Sequence, residues 1–153
     1  MPHHPNWLSF ARAPSNQSDS PRVLAYINIR FLSLCFSLQK DIINHRDILF
    51  ISFFNNNVCF FIMNVYSDSF HLALKYLKDT EVSIYNLLIM TGNFNIRDSL
   101  WDPSFPHHSS ISDNLIIIAD SFNLELLLLT NSIFTRYSDT ESELNLVIDL
   151  MFF

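Results

Sequence analysis

Polar residues able to do chemistry follow one apolar run, "IYNLLIMTGNFNIRDSLWD", residues 84 to 102. The run reads as a strand entering a turn that holds Gly92, the only glycine among 153 residues. An average domain carries roughly 7% glycine. Glycine suits a backbone with φ > 0, or one packed where no Cβ fits. Gly92 therefore marks either a tight strand-end turn or a strand that delivers Asn93, Asn95 and Trp101 to a working sheet edge. Asn95 has a plain alternative as a turn cap, and Tyr66, which ends "NVCFFIMNVY", has one as a core aromatic. Asp149 lies inside the apolar "LNLVIDLMFF", where a buried carboxylate needs a partner. Trp101 is expected to pack beneath the edge.

Other chemistries find little footing. His3–His4 and His107–His108 are adjacent pairs, not the i, i+4 spacing that lets two imidazoles share a zinc. There is no glycine-rich phosphate loop, no G-x-S-x-G elbow and no internal repeat. Cys35 and Cys59 sit among Leu, Phe and Val and are expected to be free, buried hydrophobes.

The chain must hold any such edge with a large apolar core. Its length fits one domain, and 49% of its residues are hydrophobic, 15 of them Phe. A formal charge of −6 with nine Lys plus Arg argues against a strong non-specific nucleic-acid binder. A metal-dependent nuclease, which needs carboxylates of its own, stays open. "MPHHPNWLSFARAPSNQSDSPR" lacks the apolar core of a signal peptide, and residues 1–21 are expected to be a flexible leader before a domain over 22–153. An intracellular protein is expected. Asn55, Asn56 and Asn57 divide the most apolar stretch into halves shorter than the ~18 residues that span a bilayer, so no membrane partner is expected.

The elements alternate in period. "RVLAYIN", "LSLCFSL", "DILFISFF" and "NVCFFIMNVY" read as strands, the last two apolar enough to be covered on both faces. In "SDSFHLALKYLKDT", Phe70, Ala73, Leu74 and Leu77 fall on one helical face, with Ser67 to Ser69 as cap candidates and Lys75 and Lys78 outside. A second helix is marked by Ser110 or Ser112 as cap, Asp113 in the first turn, and Leu115, Ile118, Ala119 and Phe122 on one face. "LELLLLT" and "LNLVIDLMFF" read as closing strands. The pattern predicts a layered α/β protein with buried sheets.

"TGNFNIRDSLW" resembles the G-D-F-N-x-x-x-x-L-W signature of the endonuclease/exonuclease/phosphatase superfamily, the DNase I-like enzymes, and within it the endonuclease domains of non-LTR retrotransposons. "FIMNVYSD" resembles that family's N-x-Y strand end at Tyr66. "TRYSDTESELNLVIDLMF" resembles its threonine-bearing strand at Thr135 and its S-x-I-D strand at Asp149. The three motifs occur in the family's order from about Arg22 onward. The resemblance implies a four-layered α/β sandwich, incomplete here at both ends, with its site at one edge and open strand edges through which copies could self-associate. It also implies Mg²⁺-assisted hydrolysis of DNA phosphodiesters, in the nucleus. Asn93, Asn95, Tyr66, Thr135 and Asp149 become the site residues, with Asp149 a candidate metal ligand.

The chain departs from that pattern where the chemistry is concentrated. Asn93 replaces the family's aspartate, and an amide cannot act as a general base. No glutamate precedes Glu81, where the family has a metal-binding one; no histidine follows His108; and Leu146 replaces a small polar residue. The resemblance thus leaves two readings, a weak or inactive endonuclease and a non-catalytic remnant that keeps part of the fold and some binding.

Overall fold

The computed structural model describes residues 5–11, 22–31, 33–55, 57–80, 84–102, 105–127 and 149–153. Seven strands and two α-helices follow in the order β1 Trp7–Ala11, β2 Leu24–Asn28, β3 Cys35–Leu38, β4 Ile48–Asn55, β5 Val58–Tyr66, α1 Leu72–Asp79, β6 Leu87–Asn93, α2 Ser110–Ser121 and β7 Asp149–Phe152. β1 and β2 form a two-stranded antiparallel sheet, and the others form a five-stranded sheet in the order β3-β4-β5-β6-β7. All its neighbours are antiparallel except β5 and β6, which α1 joins as a parallel crossover.

Alternation along β4 explains why its sequence is apolar throughout. Ile48 and Phe50 face a core shared with α1 and α2, while Leu49, Ile51 and Phe53 face a second core under β2. Both faces are covered, so the period-2 signal of a one-sided sheet disappears. The β4–β5 hairpin turns between Asn55 and Val58. Two stacked ring pairs, Phe50–Phe61 at 5.0 Å and Phe53–Phe60 at 5.2 Å, join its strands. The helices bury Ala73, Leu74 and Leu77 of α1 and Leu115, Ile118 and Ala119 of α2. Each large apolar side chain so buried contributes about 1.5–3 kcal/mol.

The arrangement is a mixed α/β layering of the DNase I-like kind, with helices over one large sheet and a second sheet against its other face. Three of the four expected layers are seen; among the described residues no helix covers the outer side of β1 and β2, where Trp7 and Tyr26 are exposed. None of the described helices is long and apolar enough to cross a membrane.

Several expectations need correction. Residues 7–11, read as part of a flexible leader, form β1 and pair with β2 from Trp7↔Asn28 to Ala11↔Leu24. Phe10 supplies the reason: its ring meets Phe36 edge-on at 5.1 Å and packs on the second core. Cys35 is exposed and Cys59 half-buried, because both pair with Phe54 beside the turn at the tip of the hairpin. Flanking one residue puts them two strand spacings apart, roughly 9.6 Å, beyond the ~7 Å reach of a disulfide. α1 begins after Phe70, which is exposed, and its N-cap is His71 in a left-handed conformation (φ 51°) rather than one of Ser67 to Ser69. The α2 cap is Ser109, whose hydroxyl accepts from the Ile111 N–H at 3.2 Å. Thr135 and residues 128–148 of the two closing strands lie outside the described residues; residues 125–127 run antiparallel to β7, Leu126 bridging Phe152.

Candidate functional site

Gly92 lies inside β6, not in the turn after it, so the tight-turn reading is wrong in place. At φ 147° a Cβ on residue 92 would stand 1.9 Å from the Val65 carbonyl oxygen. Both conditions that favour glycine are met, and the result is close contact between the parallel strands β5 and β6 just before their carboxyl ends.

One residue later the register assembles the candidates. Tyr66 pairs with Asn93, and Asn93 with Asp149, so three strands bring their motif residues into one lateral row. Tyr66 and Asn93, laterally paired, share a sheet face. For Tyr66 that face is the one toward the second core, on the side of the two-stranded sheet.

The turn after the row is built from its own amides. The Asn95 N–H donates to Asn93 Oδ1 at 3.1 Å, Asn95 Nδ2 donates to the Ser67 carbonyl at 2.6 Å, and the Ser67 N–H donates to the Asn93 carbonyl at 2.8 Å. Asn95 takes φ 49°, a left-handed conformation that asparagine tolerates better than most residues. Phe94 and Ile96 are buried on either side of it. Trp101 is buried as expected, its Nε1 donating to the Ile96 carbonyl at 3.1 Å. Asn95 is thus a turn cap as well as a resident of the edge.

Three charged residues that no motif announced join the row. Arg22, just before β2, donates through Nε to Asp47 Oδ1 at 2.6 Å and through Nη2 to Asp47 Oδ2. Its Nη1 and Nη2 each donate to Asp68 Oδ2 at 3.3 Å, and its guanidinium lies 5.0 Å from the centre of the Tyr66 ring. Asp47 is 1% exposed, and its carbonyl accepts the Tyr66 N–H at 2.9 Å. Hydrogen bonding to Asp47 raises the Arg22 pKa above its ordinary value, with Asp68 adding to it. Burial works against the Asp68 carboxylate, yet the Phe70 amide, Arg22 and the Leu72 amide outweigh it and hold its pKa low. Burial lowers the pKa of His71, whose Nδ1 meets Ser67 Oγ at 2.9 Å. A charged residue at the end of each of three apolar strands was the available signal.

A second cluster pins the loop beyond Trp101. Asp98, fully buried, accepts from the Leu100 N–H at 2.9 Å, the Ser109 N–H at 2.8 Å and His108 Nδ1 at 3.0 Å. His108 Nε2 meets Asp113 Oδ1 at 2.8 Å. Burial opposes ionisation of Asp98, but Ser112, the Leu100 amide, His108 and the Ser109 amide overcome it and keep its pKa far below the carboxylate range. Asp98 and then Asp113 raise the His108 pKa. This histidine is one of the pair first weighed only as a zinc ligand; its actual work is to clamp the loop to α2.

The described donor side chains do not fit magnesium. Mg²⁺ is usually held by one or two carboxylates with oxygens to spare, whereas Asp47 and Asp68 are both engaged by Arg22, and Asn93 is neutral with its Oδ1 engaged by Asn95. No group of three or more His, Cys, Asp or Glu suited to a metal ion occurs among the described residues.

Layers and row together define an α/β domain of the DNase I-like type of fold. The same fold is found in the endonuclease domain of TRAS1, a telomere-specific non-LTR retrotransposon, with a TM-score of 0.72 and 13% sequence identity. That match covers 96% of this chain and 66% of the solved one. No family model and no curated protein matches the sequence.

Proposed function

We propose that this chain is an endonuclease-like domain that holds the phosphate backbone of DNA at the carboxyl ends of β5 and β6 and cleaves it weakly or not at all. The observation that carries the reading is the row Tyr66–Asn93–Asp149, three motif positions aligned across three strands. A phosphodiester is anionic and needs donors that are already aimed. The Tyr66 phenol and the amides of Asn93 and Asn95 supply neutral donors, Thr135 adds a hydroxyl, and Asp149 is left to orient water. An aspartate at position 93 would repel phosphate unless a metal intervened; an amide does not. It also cannot take the proton from water, a loss of about 10²–10⁴ in rate for general-base assistance.

The misfit to magnesium favours binding over catalysis, and so the non-catalytic form of the reading. A nuclear location goes with a DNA ligand. The outer edge of β3 is unpaired among the described residues, and self-association through such an edge belongs to the same proposal.

Supercoiled plasmid incubated with Mg²⁺ and the purified protein should show no nicking above background. A labelled duplex should bind, more weakly for Tyr66→Phe, and size-exclusion chromatography of that preparation reads its association state. Open-circle product that follows the protein peak and vanishes in Asn95→Ala would restore the enzyme reading. No duplex binding at low salt would remove DNA as the ligand.

A further inference from the structure

The sheet end already contains a cation. One guanidinium nitrogen, Arg22 Nη2, is shared between Asp47 Oδ2 and Asp68 Oδ2, so carboxylates from the head of β4 and the segment after β5 converge on it, while the more exposed Arg46 reaches only Asp47, with Nε 3.5 Å from Oδ1. Asp47 is 1% exposed, and a carboxylate so buried is costly unless it is paired. Arginine is suited to that task because it stays protonated and its planar fork engages both oxygens of one carboxylate while reaching a second. The same group lies over the Tyr66 ring, and the Asp47 carbonyl holds the Tyr66 backbone. The chain therefore spends on itself two carboxylates beside the row, where a metal-dependent site would spend them on an ion.

We propose that the Arg22 guanidinium is the built-in cation of this sheet end, gathering Asp47 and Asp68 as a divalent ion would and positioning Tyr66, so that the end neither needs nor admits a metal. The consequence for phosphodiester binding rests on the function proposed above. The cation role does not, and it is tested without DNA.

The test is a titration with Tb³⁺, read by luminescence sensitised through the protein's aromatic rings and reversed by excess Mg²⁺. The full chain should give no saturable signal assigned to this end. Arg22→Gln removes the cation shared by both carboxylates, leaving Asp47 only the more exposed Arg46, and should bind at least about 10-fold more tightly than the parent, since oxygen ligands are what such ions lack here. Asp68→Asn added to Arg22→Gln should abolish the gain. A role in stability alone predicts no gain in ion affinity for a folded Arg22→Gln.

Where Arg22→Gln is unfolded alone, recovery of its circular dichroism on adding Tb³⁺ supports the proposal. Without such recovery Arg22→Lys decides, because a lysine keeps the charge but cannot fork across both carboxylates; a folded Lys variant should show a gain of several-fold, and none overturns the proposal. Parent protein that binds Tb³⁺ as tightly as Arg22→Gln, in a manner sensitive to Asp68→Asn, also overturns it. Failure of the parent to bind duplex DNA would sink the proposed function and leave this cation role standing.

Discussion

Two clusters in this molecule solve the same electrostatic problem with different side chains. At the sheet end a buried aspartate, Asp47, is matched by an arginine; in the loop before α2 a buried aspartate, Asp98, is matched by a histidine and backbone amides. The arginine carries its charge at every pH a protein survives. The histidine does not. The cation of the sheet end is thus fixed against pH, while that of the loop responds to it.

The largest expected effect breaks the sheet end without touching a charge. Gly92→Ala puts a Cβ 1.9 Å from the Val65 oxygen, so β5 and β6 must separate. A loss of about 4 kcal/mol or more, or no cooperative fold, is expected in a urea melt. A melt within about 1 kcal/mol of the parent would show that the strands can shift at little cost.

Next comes the loop. Asp98→Asn swaps an acceptor of several N–H groups for an amide that must present a donor to one of them, and about 3 kcal/mol should be lost. If this variant leaves stability unchanged, the clamp is ornamental and the two clusters are not comparable. Asn95→Ala removes the Nδ2 bond to Ser67 and asks alanine to adopt φ 49°. About 1–2 kcal/mol is expected from thermal melts.

The smallest effect is the one that separates the clusters. The pKa of His108 is raised in the fold, so its contribution is complete below the ordinary histidine value and fades as pH rises through the folded one. The pKa of Asp98 is held down, so its contribution is present above the ordinary carboxylate value and fades as pH falls toward the folded one. The clamp is therefore strongest between about pH 4 and pH 6.5. Above that window neutral His108 has one N–H for two carboxylates. Melts from pH 6 to pH 9 should show a decline that His108→Gln abolishes, while Arg22 adds no slope over the range.

How much of this could be read from the chain depended on whether the signal was local. The β4–β5 hairpin was legible because three asparagines interrupt a long apolar run, and the order of the motifs at Tyr66, Asn93 and Asp149 anticipated that they would meet. α1 was legible as a helix but not in its start, since a left-handed His71 excludes Phe70 from the apolar face. β1 escaped because five residues flanked by Pro, Ser and Asn give too short a period. Arg22, Asp47 and Asp68 come from three separate segments, and no spacing in one sequence shows that they touch. Gly92 was flagged by rarity, yet the cause, a neighbouring carbonyl rather than a turn, required the strand opposite.

The topology of the row has a kinetic reading as well. β4 and β5 are joined by a hairpin and can pair as soon as both exist, β6 needs the α1 crossover to come alongside, and β7 is separated from β6 by residues 94–148. Closing a longer loop costs more chain entropy before any contact repays it. Tyr66 is thus set by early pairing, Asn93 by a middle step, and Asp149 by the last closure, which makes the completed row a record that the whole sheet has formed.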